Sequence, residues 1–216
     1  MFKHFKAFTM AEVLMVIAVI GVTAALALPT MTTGLDEKNS VSAIRKIYPE
    51  IETAYTELVT EYGKPPEWTD VSSNSDATTM TTSFHNKLME KLGTTTNIDN
   101  ANFIMKDGSQ VTVAMDKMSD IISHLATSSN NNSCMGSMGT ITVDINGTRK
   151  GENSNGYDIF RFLVCFEQGI VPEGDSNSGP TAVANATNTA WIIKAGNRDY
   201  LKCASSLSWA TKRTCK

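Results

Sequence analysis

An apolar run near the N-terminus constrains this chain more than any other feature. From Val13 to Leu28 every residue is apolar except Gly21 and Thr23, and the run is broken only at Pro29. That composition predicts a membrane-buried helix. Glu12 is out of character with it. A carboxylate at the start of such a run costs roughly 2.5 kcal/mol or more if it sits deep in lipid, so it needs a partner or a task. Before Phe8 lie only the seven residues Met1 to Ala7, a short segment made basic by Lys3 and Lys6.

These residues together resemble the type IV pilins and the pseudopilins of type II secretion. In that family a short basic leader ends in a small residue at the cleavage site, a phenylalanine becomes the new N-terminus, and a glutamate stands at the fifth mature position before an unbroken apolar helix. Here those places are taken by Lys3 and Lys6, Ala7, Phe8 and Glu12. Pro29 and Pro49 fall where many members have helix-bending prolines. The residue before the cut is usually glycine and here is Ala7. The resemblance covers roughly the first quarter of the chain.

The resemblance implies a filament subunit. A prepilin peptidase would cut between Ala7 and Phe8, and the new amine would be methylated. The partners implied are other pilin or pseudopilin subunits, an inner-membrane assembly platform and membrane lipid. Glu12 would pair with the Phe8 amine of a neighbouring subunit, since each charge is costly alone in an apolar medium and the pairing fixes the axial register.

Two simpler readings compete for the same segment. A secretory signal peptide also has a basic start and an apolar core, and Ala25-Leu26-Ala27 supplies an A-x-A site. Against it stand Glu12, the length of the run and the amphipathic pattern that continues past that site. A plain N-terminal anchor explains the run but gives Glu12 no task. The rival function is therefore an anchored or secreted binding domain that does not polymerise.

Lys3, His4 and Lys6 precede the run, while Asp36 and Glu37 follow it. The positive-inside rule predicts a cytoplasmic N-terminus on a single-pass inner-membrane protein, with the remainder facing outward and entering an extracytoplasmic or cell-surface filament. The length of 216 leaves room for one compact domain beyond the first helix. A net charge of −3 gives no basic footprint for nucleic acid.

Past Pro29, the residues Val41, Ile44, Tyr48, Ile51, Tyr55, Leu58 and Tyr62 recur at three- and four-residue steps, as on a helix with one apolar face. Pro49 predicts a bend inside it and Gly63-Lys64-Pro65-Pro66 a stop. The polar stretch from Glu67 to Thr82 reads as a loop. Phe84, Leu88 and Leu92 then mark a short helix ending at Gly93. Asp107-Gly108, between two apolar segments, is a hairpin signal. Met118 to Leu125 fits either a helical turn or a strand. Ile141 to Ile145 and Ile159 to Phe166 read as an antiparallel pair. Beyond Phe166 periodicity fades until a helical piece around Trp191, capped at Gly196 or Asn197. Trp191 and Trp209 read as packing residues.

The expected fold is thus α+β. A leader (1–7) precedes a long N-terminal helix with an apolar membrane half (8–29) and an amphipathic half (30–62). That helix packs on a small antiparallel-sheet domain (63–216), an arrangement of pilin-like kind.

Cys134, Cys165, Cys203 and Cys215 show no C-x-x-C spacing, which points away from zinc and toward disulfides. Four cysteines allow three pairings. The resemblance favours Cys203 with Cys215, closing a C-terminal loop as in many pilins, and leaves Cys134 with Cys165. Catalytic constellations are missing from the sequence: His4, His85 and His124 sit in unrelated contexts, and no phosphate-binding glycine loop follows a strand. The chain therefore reads as a non-enzyme. Asp144, Asn146 and Asp158, with Glu152, Asn153 and Asn155 between them, supply hard oxygen donors of the kind calcium takes. The segment departs from the EF-hand template at Thr148 and Arg149, and a hydrogen-bonded turn is the favoured reading.

Overall fold

The structure is a computed structural model describing residues 9–93, 96–126, 134–147, 153–174, 180 and 186–215, with the side chains of 26–35 outside the described set. The expected leader and the expected processing residues, Ala7 and Phe8, lie outside the described residues, as does the side chain of Pro29. The chain divides into two compact units, Met1–Asn39 and Ser40–Lys216.

Helix α1 runs from Met10 to Tyr62. It continues through Pro49, whose ring sits on the exposed side. The expected membrane half of the fold, and the single-pass inner-membrane placement that rested on it, are corrected. Residues 10–25 are exposed, and among the described residues no helix is long and apolar enough to cross a membrane. The described apolar stretch, residues 10–25, spans about 24 Å at about 1.5 Å per residue, against a hydrocarbon core of about 30 Å. Glu12, Gly21 and Thr23 dilute even that stretch.

In the second unit, a six-stranded antiparallel sheet makes the architecture α+β. Its strands are β1 (Thr96–Asn97), β2 (Asn102–Ile104), β3 (Gln110–Met115), β4 (Ser137–Asp144), β5 (Ile159–Cys165) and β6 (Gly169–Pro172). They pair in chain order, each with the next. The alternation that predicted strands also sets the register. Val111 opposes Val143, which opposes Phe160; Val113 opposes Ile141, which opposes Phe162. All six are buried, so these two rows floor the core. Gly139, in β4, sits at the irregularity in the pairing of β4 with β5. A Cβ on Gly139 would lie 2.5 Å from the Ala114 carbonyl oxygen and 2.7 Å from Met115 Cα, so only glycine admits that close approach.

The apolar stripe of α1 covers this floor. Ile44, Ile47, Ile51, Ala54, Tyr55 and Leu58 are buried in one cluster with the sheet, and Tyr48 stacks on Phe162 with ring centroids 5.6 Å apart. Helix α2 (Ala77–Leu92) starts inside the segment expected to be a loop. Asp76 caps it by accepting a hydrogen bond from the Thr79 amide at 2.8 Å, and a local cap outweighs the polar composition around it. Gly93, at φ 57°, ends it as expected.

The ambiguous segment is helix α3 (Met118–Ala126), which buries Met118 and Ile121. Strand β6 occupies residues expected to lack periodicity; at four residues it is too short for its alternation to stand out. Helix α4 (Thr189–Ala195) ends at Gly196, φ 75°. Helix α5 (Tyr200–Cys203) follows.

Candidate functional site

Exposure singles out the start of α1. Val13, Leu14, Met15, Val16 and Ile17 are consecutive, and successive helical positions turn by about 100°, so together they face every direction. Their exposures run from 46% to 72%, and Val19, Ile20 and Val22 continue the pattern at 57% to 62%. Scattered exposed apolar residues need no explanation, but a contiguous apolar cylinder marks an interaction surface.

The first turn of that cylinder is closed by a capping box. Glu12 Oε2 accepts hydrogen bonds from the Thr9 amide at 2.8 Å and the Thr9 hydroxyl at 2.9 Å, while the Glu12 amide donates to Thr9 Oγ1 at 3.3 Å. The Thr9 amide, and then its hydroxyl, hold the Glu12 carboxyl below the usual carboxylate value. Glu12 therefore has a partner within its own helix. The T-x-x-E spacing of Thr9 and Glu12 carries that signal in the sequence. Both bonds end on the same oxygen. Oε1 accepts none among the described residues.

Both disulfides are present. Cys134 is bonded to Cys165 with Cα atoms 5.3 Å apart, and Cys203 to Cys215 at 5.9 Å. The first ties the entry of β4 to the end of β5; the second closes the C-terminal loop.

The turn between β4 and β5 brings together four of the residues singled out above, Asp144, Asn146, Asn153 and Asp158. Asp158 accepts from Asn146 Nδ2 at 3.2 Å, the Asn153 amide at 2.9 Å and the Ser154 amide at 2.6 Å. Asp144 accepts from the Asn146 amide at 3.2 Å, and burial, with the charge of Asp158 opposing the effect of that hydrogen bond, raises its carboxyl above the usual value. Arg149 and Glu152 lie outside the described residues. Among the described residues no group of three or more histidine, cysteine or acidic side chains is placed to hold a metal ion. What the geometry contains is a hydrogen-bonded turn locked by Asp158.

The histidines remain apart. His85 is buried against Phe103, with ring centroids 5.4 Å apart, and His124 lies 3.0 Å from the Ser137 carbonyl. Trp191 is fully buried and its ring centroid lies 4.5 Å from that of Trp209, the planes tilted by 38°, as packing residues.

A search of family models, of curated proteins and of solved structures finds no significant match to this chain.

Proposed function

We propose that this chain is a structural subunit of a helical filament of the type IV pilus or type II secretion pseudopilus kind. The observation that carries the reading is the apolar cylinder of residues 13–22, exposed on every side of α1 in a chain whose first residues follow the Ala7-Phe8 and Glu12 pattern. Burying a Val, Leu or Ile side chain is worth roughly 1.5–3 kcal/mol, so covering eight such residues yields on the order of 10 kcal/mol even at partial burial. A helix apolar all round is covered best by like helices from other copies. Repeating one heterologous contact makes the assembly open-ended.

Glu12 supplies the register. The capping bonds occupy Oε2 alone, and Oε1 is left to receive the Phe8 amine of a neighbouring subunit once a prepilin peptidase has removed residues 1–7. The two disulfides fit a domain that matures in an oxidising environment.

The decisive experiment separates capping from pairing. Thr9→Ala removes the two bonds made by the hydroxyl, keeps the main-chain donor and leaves the charge; Glu12→Gln keeps an acceptor for the cap and removes the charge. Filament yield from protein trimmed to Phe8 should fall strongly for Glu12→Gln and little for Thr9→Ala. Equal yields from Glu12→Gln and the unaltered chain would refute the proposal, as would a mature N-terminus elsewhere than Phe8.

A further inference from the structure

Two Asn-Gly pairs, Asn146-Gly147 and Asn155-Gly156, lie in the connection between β4 and β5. Such a pair is chemically reactive because glycine carries no side chain to shield its amide nitrogen. That nitrogen can attack Cγ of the preceding asparagine and close a succinimide ring. The fold treats the two pairs differently.

Asn155-Gly156 is locked. The Gly156 amide donates to the Ile159 carbonyl at 2.9 Å, and the Gly156 carbonyl accepts from the Tyr200 hydroxyl at 2.5 Å. Gly156 is buried, and a Cβ on it would lie 3.1 Å from both the Thr187 carbonyl oxygen and Tyr200 Cε2. Its nitrogen is committed to a neutral acceptor that takes no proton, in surroundings too tight for the ring to close.

Asn146-Gly147 is placed to react. Asn146 is exposed, so water reaches its carboxamide. Gly147, at φ 73°, is open: the Gly108 carbonyl oxygen, 3.6 Å from where a Cβ would stand, is its one close neighbour among the described residues. Both main-chain amides of the pair turn toward one carboxylate. Asp144 accepts from the Asn146 amide at 3.2 Å and also from that of Gly147. The carboxamide is held from the other side, Asn146 Nδ2 donating to Asp158 at 3.2 Å. The Gly147 nitrogen thus faces a base, and burial, which raises the Asp144 carboxyl, makes that base stronger.

We propose that Asn146 is a self-modification site, at which the Gly147 amide nitrogen attacks Asn146 Cγ while Asp144 takes its proton. The N–Cγ bond forms, the Cγ–Nδ2 bond breaks, and Nδ2 leaves as ammonia with the proton that Asp144 received. Water then opens the succinimide at either carbonyl and leaves aspartate or isoaspartate at position 146. No oxidant or reductant takes part. The chain passes from a net charge of −3 to −4, and the donor that faced Asp158 becomes a carboxylate beside Asp144 and Asp158. Like charges then oppose the turn that joins β4 to β5. The inference stands apart from the filament reading and holds for a subunit or for a free domain.

Incubating the full oxidised chain at neutral pH, folded and in concentrated urea, tests it. Reduction, trypsin digestion and mass spectrometry with fragmentation that separates isoaspartate from aspartate give the rate at each asparagine. Trypsin cuts after Lys117, Arg149, Lys150 and Arg161, so the two pairs fall in different peptides. In the folded chain Asn146 should convert at least as fast as in urea, and Asn155 far more slowly than Asn146. Asp144→Asn should slow Asn146 in the folded chain by about 100-fold, the lower end of the range for a positioned general base, and leave the rates in urea unchanged. Asn155 reports on the variant's fold, since its slow conversion depends on the packing around Gly156. Slower conversion of Asn146 in the folded wild type than in urea overturns the proposal, whatever the variant does. So does conversion of Asn155 in the folded chain as fast as that of Asn146, or an unchanged Asn146 rate in folded Asp144→Asn.

Discussion

Tyr55 is 6% exposed, its ring centroid 6.2 Å from that of Phe84 and its edge close to Gly169, and its hydroxyl is buried with no hydrogen-bond partner among the described residues. An unsatisfied buried hydroxyl costs about 1–3 kcal/mol, and Phe fills the same space without it. Tyr55→Phe should therefore stabilise the protein by about 1 kcal/mol or more, raising Tm by about 2–4 °C for each kcal/mol in a domain of this size.

The same group sets an alkaline limit. Burial pushes the Tyr55 phenol up from 10.0 to about 12. Because the folded value lies above the unfolded one, its contribution is fully present below pH 10 and is lost as pH rises toward about 12; across that window it amounts to roughly 2–3 kcal/mol. Thermal melts from pH 7 to 12 should show the wild type losing stability more steeply above pH 10 than Tyr55→Phe. Tyrosinate absorbance should show one residue titrating last, and it should be missing from the variant. A lower Tm for Tyr55→Phe at pH 7, with an unchanged alkaline limb, would mean that the hydroxyl has a partner and would refute the reasoning.

Replacing Cys134 and Cys165 by alanine opens a loop with a sequence separation of 31, against 12 for Cys203 and Cys215. Loop entropy gives about 3.7 and about 2.9 kcal/mol respectively; urea melts that reverse this order would count against an entropic origin. Gly139→Val should cost about 1–3 kcal/mol by overpacking against the β3 backbone, and an unperturbed urea midpoint would show that β4 can shift at that point.

What the sequence revealed was what depends on local periodicity. The stripe from Val41 to Tyr62, the Asp107-Gly108 hairpin and the strands around Ile141 and Phe160 declare themselves through repeats of 3.6 or 2, and each of those segments contributes side chains to one core. Segments decided by a single contact were hidden. Helix α2 begins seven residues before Phe84, behind the Asp76 cap, and β6 forms because β5 offers an edge. At the candidate site the run after Glu12 was plain as composition, but composition alone misjudged what it can do. The Thr9 cap gives Glu12 a local role that needs no second subunit.

The ends of the sheet bear on how such a chain behaves when crowded. At one end β1 has two residues, both exposed and polar, and at the other β6 has four and finishes at Pro172, which has no amide hydrogen to donate. A foreign strand finds too few aligned donors and acceptors at either margin to settle there. Copies held at high local concentration thus have little opportunity to fuse their sheets into a cross-β fibre.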